Sequence, residues 1–184
     1  MQEEKTITSY IYKKYVNDLF NYGVGMGFSD QTCMDAIHDV FCALYTSDKK
    51  LEDIVNIKYY LFVSLKNRLI DVYRISRKIN MLDIEEFPFV IEVSILDSII
   101  ADDEHAVLKA NVEKLMQQLT DRQREAIYLR YMQELSYEEI GMLLDMTPES
   151  VRKLVHRGID KMRTHACNDA KLLSILIFIF PPLA

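Results

Sequence analysis

The chain has 184 residues, 49% hydrophobic and 27% charged, a balance that suits a soluble chain with a packed core and excludes an intrinsically disordered or membrane-integral protein. Five Gly, four Pro and no Trp, beside plentiful Leu, Ile, Lys, Glu and Met, favour helices over turn-rich sheet. A formal net charge of −6 excludes a uniformly cationic nucleic-acid binder, so any phosphate contact must come from local clusters of cations.

The first ten residues are polar and charged, without the apolar stretch of a secretory signal, so the expected location is the cytoplasm. Helical periodicity begins at Tyr10 and runs to Tyr22, where Gly23, Gly25 and Gly27 act as a breaker. Ser29 is placed to cap a second helix in which Cys33, Ile37, Val40, Phe41 and Leu44 recur at helical spacing. A third and longest helix is expected from Ile54 to Ile79. It carries Lys58, Lys66, Arg68, Arg74, Arg77 and Lys78 against one nearby acid, Asp71. The next stretch, Leu82 to Asp103, mixes apolar and acidic residues around Pro88 without a period. From Asp83 to Glu104 there is no Lys or Arg, which reads as an acidic tether.

From Thr120 onward three helices are announced by their caps. Thr120-Asp-Arg-Gln123 and Ser136-Tyr-Glu-Glu139 are capping-box patterns, and Thr147-Pro148 puts a cap residue before proline at the first helical position. In the second of these helices Tyr137, Ile140, Gly141 and Leu144 share a face, with Gly141 small enough to admit a neighbouring helix. In the third, Val151, Leu154, Val155, Gly158 and Met162 do so. The opposite face offers Glu149, Lys153, His156, Arg157 and Asp160, with Arg152 and Arg163 at its edge. Two such helices joined across Asp145-Met-Thr147 form a helix-turn-helix, whose second helix can present cations to phosphates and base edges. The apolar run Leu172 to Phe180 is too short to span a bilayer and reads as a docking or capping segment, with no stable membrane insertion.

Nothing in the sequence points to catalysis. The histidines His38, His105, His156 and His165 lie in separate segments, and no HExxH, GxSxG, Walker or GxGxxG pattern occurs. The cysteines, Cys33, Cys42 and Cys167, have no metal-ligand spacing. Cys33 and Cys42 would stand roughly 13 Å apart along one helix, too far for a disulfide. No enzyme activity, metal, cofactor or small-molecule substrate is expected. The fold class expected is all-α: two small helical domains joined by an acidic linker, the C-terminal one a helix-turn-helix. The boundaries are set at 1–80, 81–109 for the linker, 110–168, and 169–184 for the apolar tail.

These motifs are familiar in combination. Leu119-Thr-Asp-Arg-Gln-Arg-Glu125, Leu135-Ser-Tyr-Glu-Glu-Ile-Gly141 and Thr147-Pro-Glu-Ser-Val-Arg-Lys-Leu-Val-His-Arg157 closely resemble region 4 of extracytoplasmic-function (ECF) sigma factors of the sigma-70 family. Alone, that stretch would also fit a response-regulator DNA-binding domain. Tyr12-Lys-Lys-Tyr15, Leu19-Phe-Asn-Tyr22, Asp39-Val-Phe41, Tyr60-Leu-Phe-Val-Ser-Leu-Lys-Asn67 and Asp71-Val-Tyr-Arg74 resemble region 2 of the same family. The resemblance implies an RNA polymerase sigma subunit that directs core RNA polymerase to promoter DNA, with an anti-sigma factor as a further partner. It implies minus-35 contacts by Glu149, Ser150, Arg152, Lys153, His156 and Arg157. For the minus-10 element it implies Lys58, Tyr60, Lys66, Asn67, Arg68, Tyr73, Arg74, Arg77 and Lys78, with Asn67 helping to hold a flipped base. Asp35, His38 and Asp39 fall on the polymerase-binding surface, His38 standing where the family commonly has Gln. Asp145 stands where the family often has Gly, at a turn that needs a left-handed backbone. The rival readings are a two-domain helix-turn-helix regulator that works without polymerase, and a helical interaction module with a membrane-seeking tail.

Overall fold

The structure, a computed structural model, describes residues 2–46, 54–77, 87–90, 106–167 and 169–180. Lys78 and every acid of the tether lie outside the described residues, as does the side chain of Arg77. All regular elements among the described residues are helical. They fall into two compact units, one ending at Phe87 and the other beginning at Pro88.

The first unit packs α1 (Gln2–Gly25), α2 (Asp30–Thr46) and α3 (Ile57–Arg77) each against the other two. Leu19, Tyr22, Cys33, Ile37, Leu61, Phe62, Leu65 and Leu69 make its core. Tyr22 lies tilted on Phe62 at 5.1 Å, and Tyr12 meets Phe41 edge-on at 5.0 Å. Helix α1 starts well before Tyr10; its first turns are polar and carry no apolar period that would announce them. It also continues past the first glycines. A Cβ at Gly23 would stand 2.7 Å from Cys33 Sγ and 3.4 Å from Leu69 Cδ1, so this glycine lets α1 and α2 approach. The breaker is Gly27, at φ 83. Ser29 caps α2 as expected, its Oγ accepting from the Thr32 amide at 3.3 Å. Asn56 Oδ1 accepts from the Tyr59 amide at 3.2 Å, which starts α3 later than Ile54. All three cysteines are free thiols; burial, and secondarily the charge of Asp30, push the Cys33 thiol up to about 11, so it serves as packing.

The second unit is built on α7 (Pro148–Ala166), which packs against α4 (Ala106–Gln117), α5 (Asp121–Ile127), α6 (Tyr137–Leu144) and α8 (Ala170–Ile179). A π-helical turn, Tyr128–Met132, continues α5. Both capping boxes form, Thr120 with Gln123 and Ser136 with Glu139. Arg124 gathers the loose end of α4: Nε donates to Met116 O at 3.0 Å, Nη2 to Leu119 O at 2.8 Å, and Nη1 to Asp121 and to Phe89 O. Phe89 is buried against Tyr128 at 5.4 Å, and its amide donates to Asp121 Oδ1 at 3.1 Å. A point within the aperiodic stretch is thus held firmly to this unit.

The apolar tail is part of the same core. Asp169 Oδ1 accepts from the Leu172 amide at 3.0 Å and so caps α8. Leu172, Leu176 and Phe180 are buried, at helical spacing. Phe180 meets Tyr131 edge-on at 5.0 Å, and Arg163 Nη2 donates to the Phe180 carbonyl at 2.8 Å, closing the helix end. Among the described residues no helix is long and apolar enough to cross a membrane.

Candidate nucleic-acid interface

The geometry of the helix-turn-helix follows from a few local constraints. Helix α6 ends at Asp145, whose φ 55 and ψ 50 are left-handed, and Thr147 Oγ1 accepts from the Ser150 amide at 3.2 Å to begin α7. A Cβ at Gly141 would lie 2.6 Å from Met146 O and 3.4 Å from Pro148 N. The close neighbour that requires glycine is therefore the backbone of the turn itself, where the sequence suggests a crossing helix. A left-handed non-glycine residue is strained by about 1–2 kcal/mol, and glycine loses about 0.5–1 kcal/mol more entropy on folding. Asp145→Gly is accordingly expected to stabilise the second unit, by up to about 1 kcal/mol. A lower denaturation midpoint at unchanged m-value would contradict this.

On α7 the pattern divides as its period requires. Val151, Val155, Gly158 and Met162 are buried, whereas Glu149, Ser150, Arg152, Lys153, His156 and Arg157 are all exposed on the outward side. Lys153 Nζ stands 3.4 Å from Glu149 Oε1 and His156 Nδ1 2.7 Å from Asp160 Oδ2. Exposed pairs of this kind contribute only about 0–1 kcal/mol, so a phosphate or base edge can displace them. Ser150 belongs to the cap, its Oγ accepting from Thr147 Oγ1 at 2.8 Å. Arg157 is exposed and has no ion-pair partner among the described residues. Arg163, expected at the edge of this face, is half-buried and turns instead to the Phe180 carbonyl.

One cation of this surface escapes the α7 pattern. Arg130, on the π-helical turn, lies 4.8 Å from the centroid of the Tyr137 ring, and Arg152 of α7 lies 5.3 Å from the same ring. Arg130 Nη1 is also fixed by donation to Leu135 O at 2.9 Å. The shared aromatic ring holds two guanidinium groups that would otherwise repel. The sequence carries the caps that shape this corner but no signal that Arg130 folds toward α7.

The α3 candidates are not one cluster. Asn67 and Arg74, seven positions and about two turns apart, share a face. Asn67 is exposed and has no hydrogen-bond partner among the described residues. Arg74 Nη1 is 3.6 Å from Asp71 Oδ1. Tyr73 is half-buried in an aromatic group, 6.4 Å from Phe28 and 5.1 Å from Phe87. Lys66 and Tyr60 are half-buried. Lys58 stands near the start of the helix, 3.9 Å from Asp18 of α1, and so away from Asn67. Arg68 reaches across to α2, where Asp39 Oδ2 lies 2.6 Å from Nη2 and accepts from Nε at 2.8 Å.

On α2, Asp35, His38 and Asp39 are exposed on one side. Asp35 Oδ1 accepts from Gln31 Nε2 at 2.9 Å, and His38 Nε2 is 3.4 Å from Cys42 Sγ. Among the described residues no group of three or more metal-binding side chains comes together.

Comparison with known proteins gives these surfaces a context. Residues 115–164 match the family described as Sigma-70, region 4. The chain is 24% identical over 162 residues to the ECF RNA polymerase sigma factor SigM of Bacillus subtilis, covering 83% of this chain and 91% of that protein. It is 25% identical over 158 residues to the ECF RNA polymerase sigma factor SigX of the same organism, covering 84% and 81%. Over a shorter stretch of 62 residues it is 37% identical to the RNA polymerase sigma factor CarQ of Myxococcus xanthus, 34% of this chain and 36% of that one.

Proposed function

We propose that the chain is an RNA polymerase sigma factor of the ECF type that directs core polymerase to specific promoters and helps to open them, a reading supported by the match of residues 115–164 to Sigma-70, region 4 and by the likeness to SigM and SigX. The observation that carries the reading is the outward face of α7. Arg152, Lys153, His156 and Arg157 stand exposed together on the second helix of a helix-turn-helix, within the residues that match region 4. A helix so placed enters a major groove, its cations serving phosphates and guanine edges and Glu149 accepting from cytosine.

The resemblance of the first unit to region 2 assigns the other half of the work. Asp35, His38 and Asp39 on α2 would meet core polymerase. Asn67, with Lys66, Arg74 and the cations that follow, would meet the minus-10 strand, with Asn67 exposed to receive an unstacked base. The domain boundaries follow this division, with region 2 in 1–80 and region 4 in 110–168. An anti-sigma factor is the further partner, and the cytoplasm the place of action.

Reconstitution tests this directly. Core polymerase mixed with the purified chain is expected to start transcripts at discrete positions on genomic DNA, and the chain to comigrate with core polymerase on gel filtration. Duplex binding without comigration or transcripts would sink the sigma reading in favour of a regulator that works alone.

A further inference from the structure

Asp39 and Arg68 belong to different surfaces in the proposed function, yet they are each other's partner. The guanidinium offers its Nε–Nη2 edge to one oxygen, Asp39 Oδ2, at 2.8 and 2.6 Å. That edge is the one a phosphate would take. The side chains remain 42% and 47% exposed, so the pair is not sealed in the core, and either group can be drawn away by an outside charge. Asn67, beside Arg68 in sequence, is exposed and free of such a bond among the described residues. Of two adjacent residues assigned to promoter DNA, one is available and the other is occupied.

We propose that Asp39 masks Arg68 in the free chain, and that a basic group of core polymerase, by taking Asp39, releases Arg68 to a promoter phosphate. The proposal rests on the reading of α2 as the polymerase-binding surface and α3 as the DNA-binding one. Asp39 is then a positioning residue for DNA binding as well as a contact for polymerase. Because the pair joins two binding equilibria, the effect is reciprocal: whatever polymerase binding adds to DNA affinity through Arg68, DNA adds to polymerase affinity through Asp39. An exposed ion pair is weak enough to be exchanged, and breaking it shifts an equilibrium by a factor of up to about five.

The test uses the full chain, first without polymerase, and a labelled oligothymidylate as a sequence-neutral single strand, titrated at several salt concentrations. Asp39→Asn is expected to tighten binding about two- to fivefold and to steepen the log–log salt dependence by about 0.7, the signature of one more phosphate contact. In an Arg68→Gln background the same Asp39→Asn change is expected to add nothing. Equal tightening in both backgrounds would mean that only a repelling charge was removed, and no tightening in either would mean that Arg68 was never masked; both overturn the proposal. In the reciprocal arm, Arg68→Gln is expected to tighten binding of core polymerase by a similar factor, and unchanged or weaker binding would also overturn it. If the unaltered chain does not bind core polymerase, the functional reading fails, and the oligothymidylate cycle still reports separately on masking.

Discussion

Replacing Phe180 by alanine is expected to destabilise the C-terminal unit by about 3–5 kcal/mol, the range for a large aromatic removed from a core that cannot fully close around the gap. Phe180 is completely buried at the end of α8, stacked edge-on against Tyr131. The backbone carbonyl of residue 180, which accepts from Arg163 Nη2, is kept in the alanine variant, so the expected loss is that of the buried ring and its contact with Tyr131. Ile177→Ala on the same helix is the control. Ile177 is 47% exposed, and a surface change of this kind shifts stability by about 0.5 kcal/mol or less. Urea unfolding of the two variants separates the possibilities. If Phe180→Ala and Ile177→Ala behave alike, α8 is a detachable tail and not part of the region 4 core. The residues that match region 4 end at 164, so this helix lies outside the matched stretch and is tied to it through Tyr131 and Arg163.

Arg157→Ala is expected to weaken binding to a minus-35 duplex by about 1–3 kcal/mol, roughly five- to 150-fold, as for loss of a good two-bond contact to a base edge. Arg157 is exposed and unpaired among the described residues, so no internal bond has to break before it meets DNA and its removal leaves the fold intact. Lys153 gives the contrast. Its ammonium already stands near Glu149, and a lysine serves phosphate as a point charge, so Lys153→Ala should weaken promoter and scrambled duplex alike. Fluorescence anisotropy on both duplexes, at one fixed salt concentration, reads the difference. A uniform loss with Arg157→Ala would remove it from base recognition and leave it as a phosphate contact.

The parts of this protein that were legible in its sequence are those encoded within single helices. Capping boxes at Thr120 and Ser136 formed as their spacing required, and the apolar period of α7 placed its polar residues outward. A cap needs only residues three apart and a period only one helix. The departures have a common cause as well. Polar opening turns hid the start of α1, and nothing in a lone Phe89 within an aperiodic stretch announces that it will be buried.

The candidate surfaces divide the same way. By itself the sequence determined an all-helical chain, a helix-turn-helix with an outward cationic face and a basic third helix, because amphipathic spacing and cap chemistry act locally. Only the tertiary structure decided which of those cations are available. Arg163 is drawn to the end of α8, Arg68 to Asp39, and Arg130 is brought to the Tyr137 ring beside Arg152. Each of these depends on which helix faces meet in space. A charge's partner across that gap lies 17 residues away in one case and 29 in another, beyond the reach of any helical period.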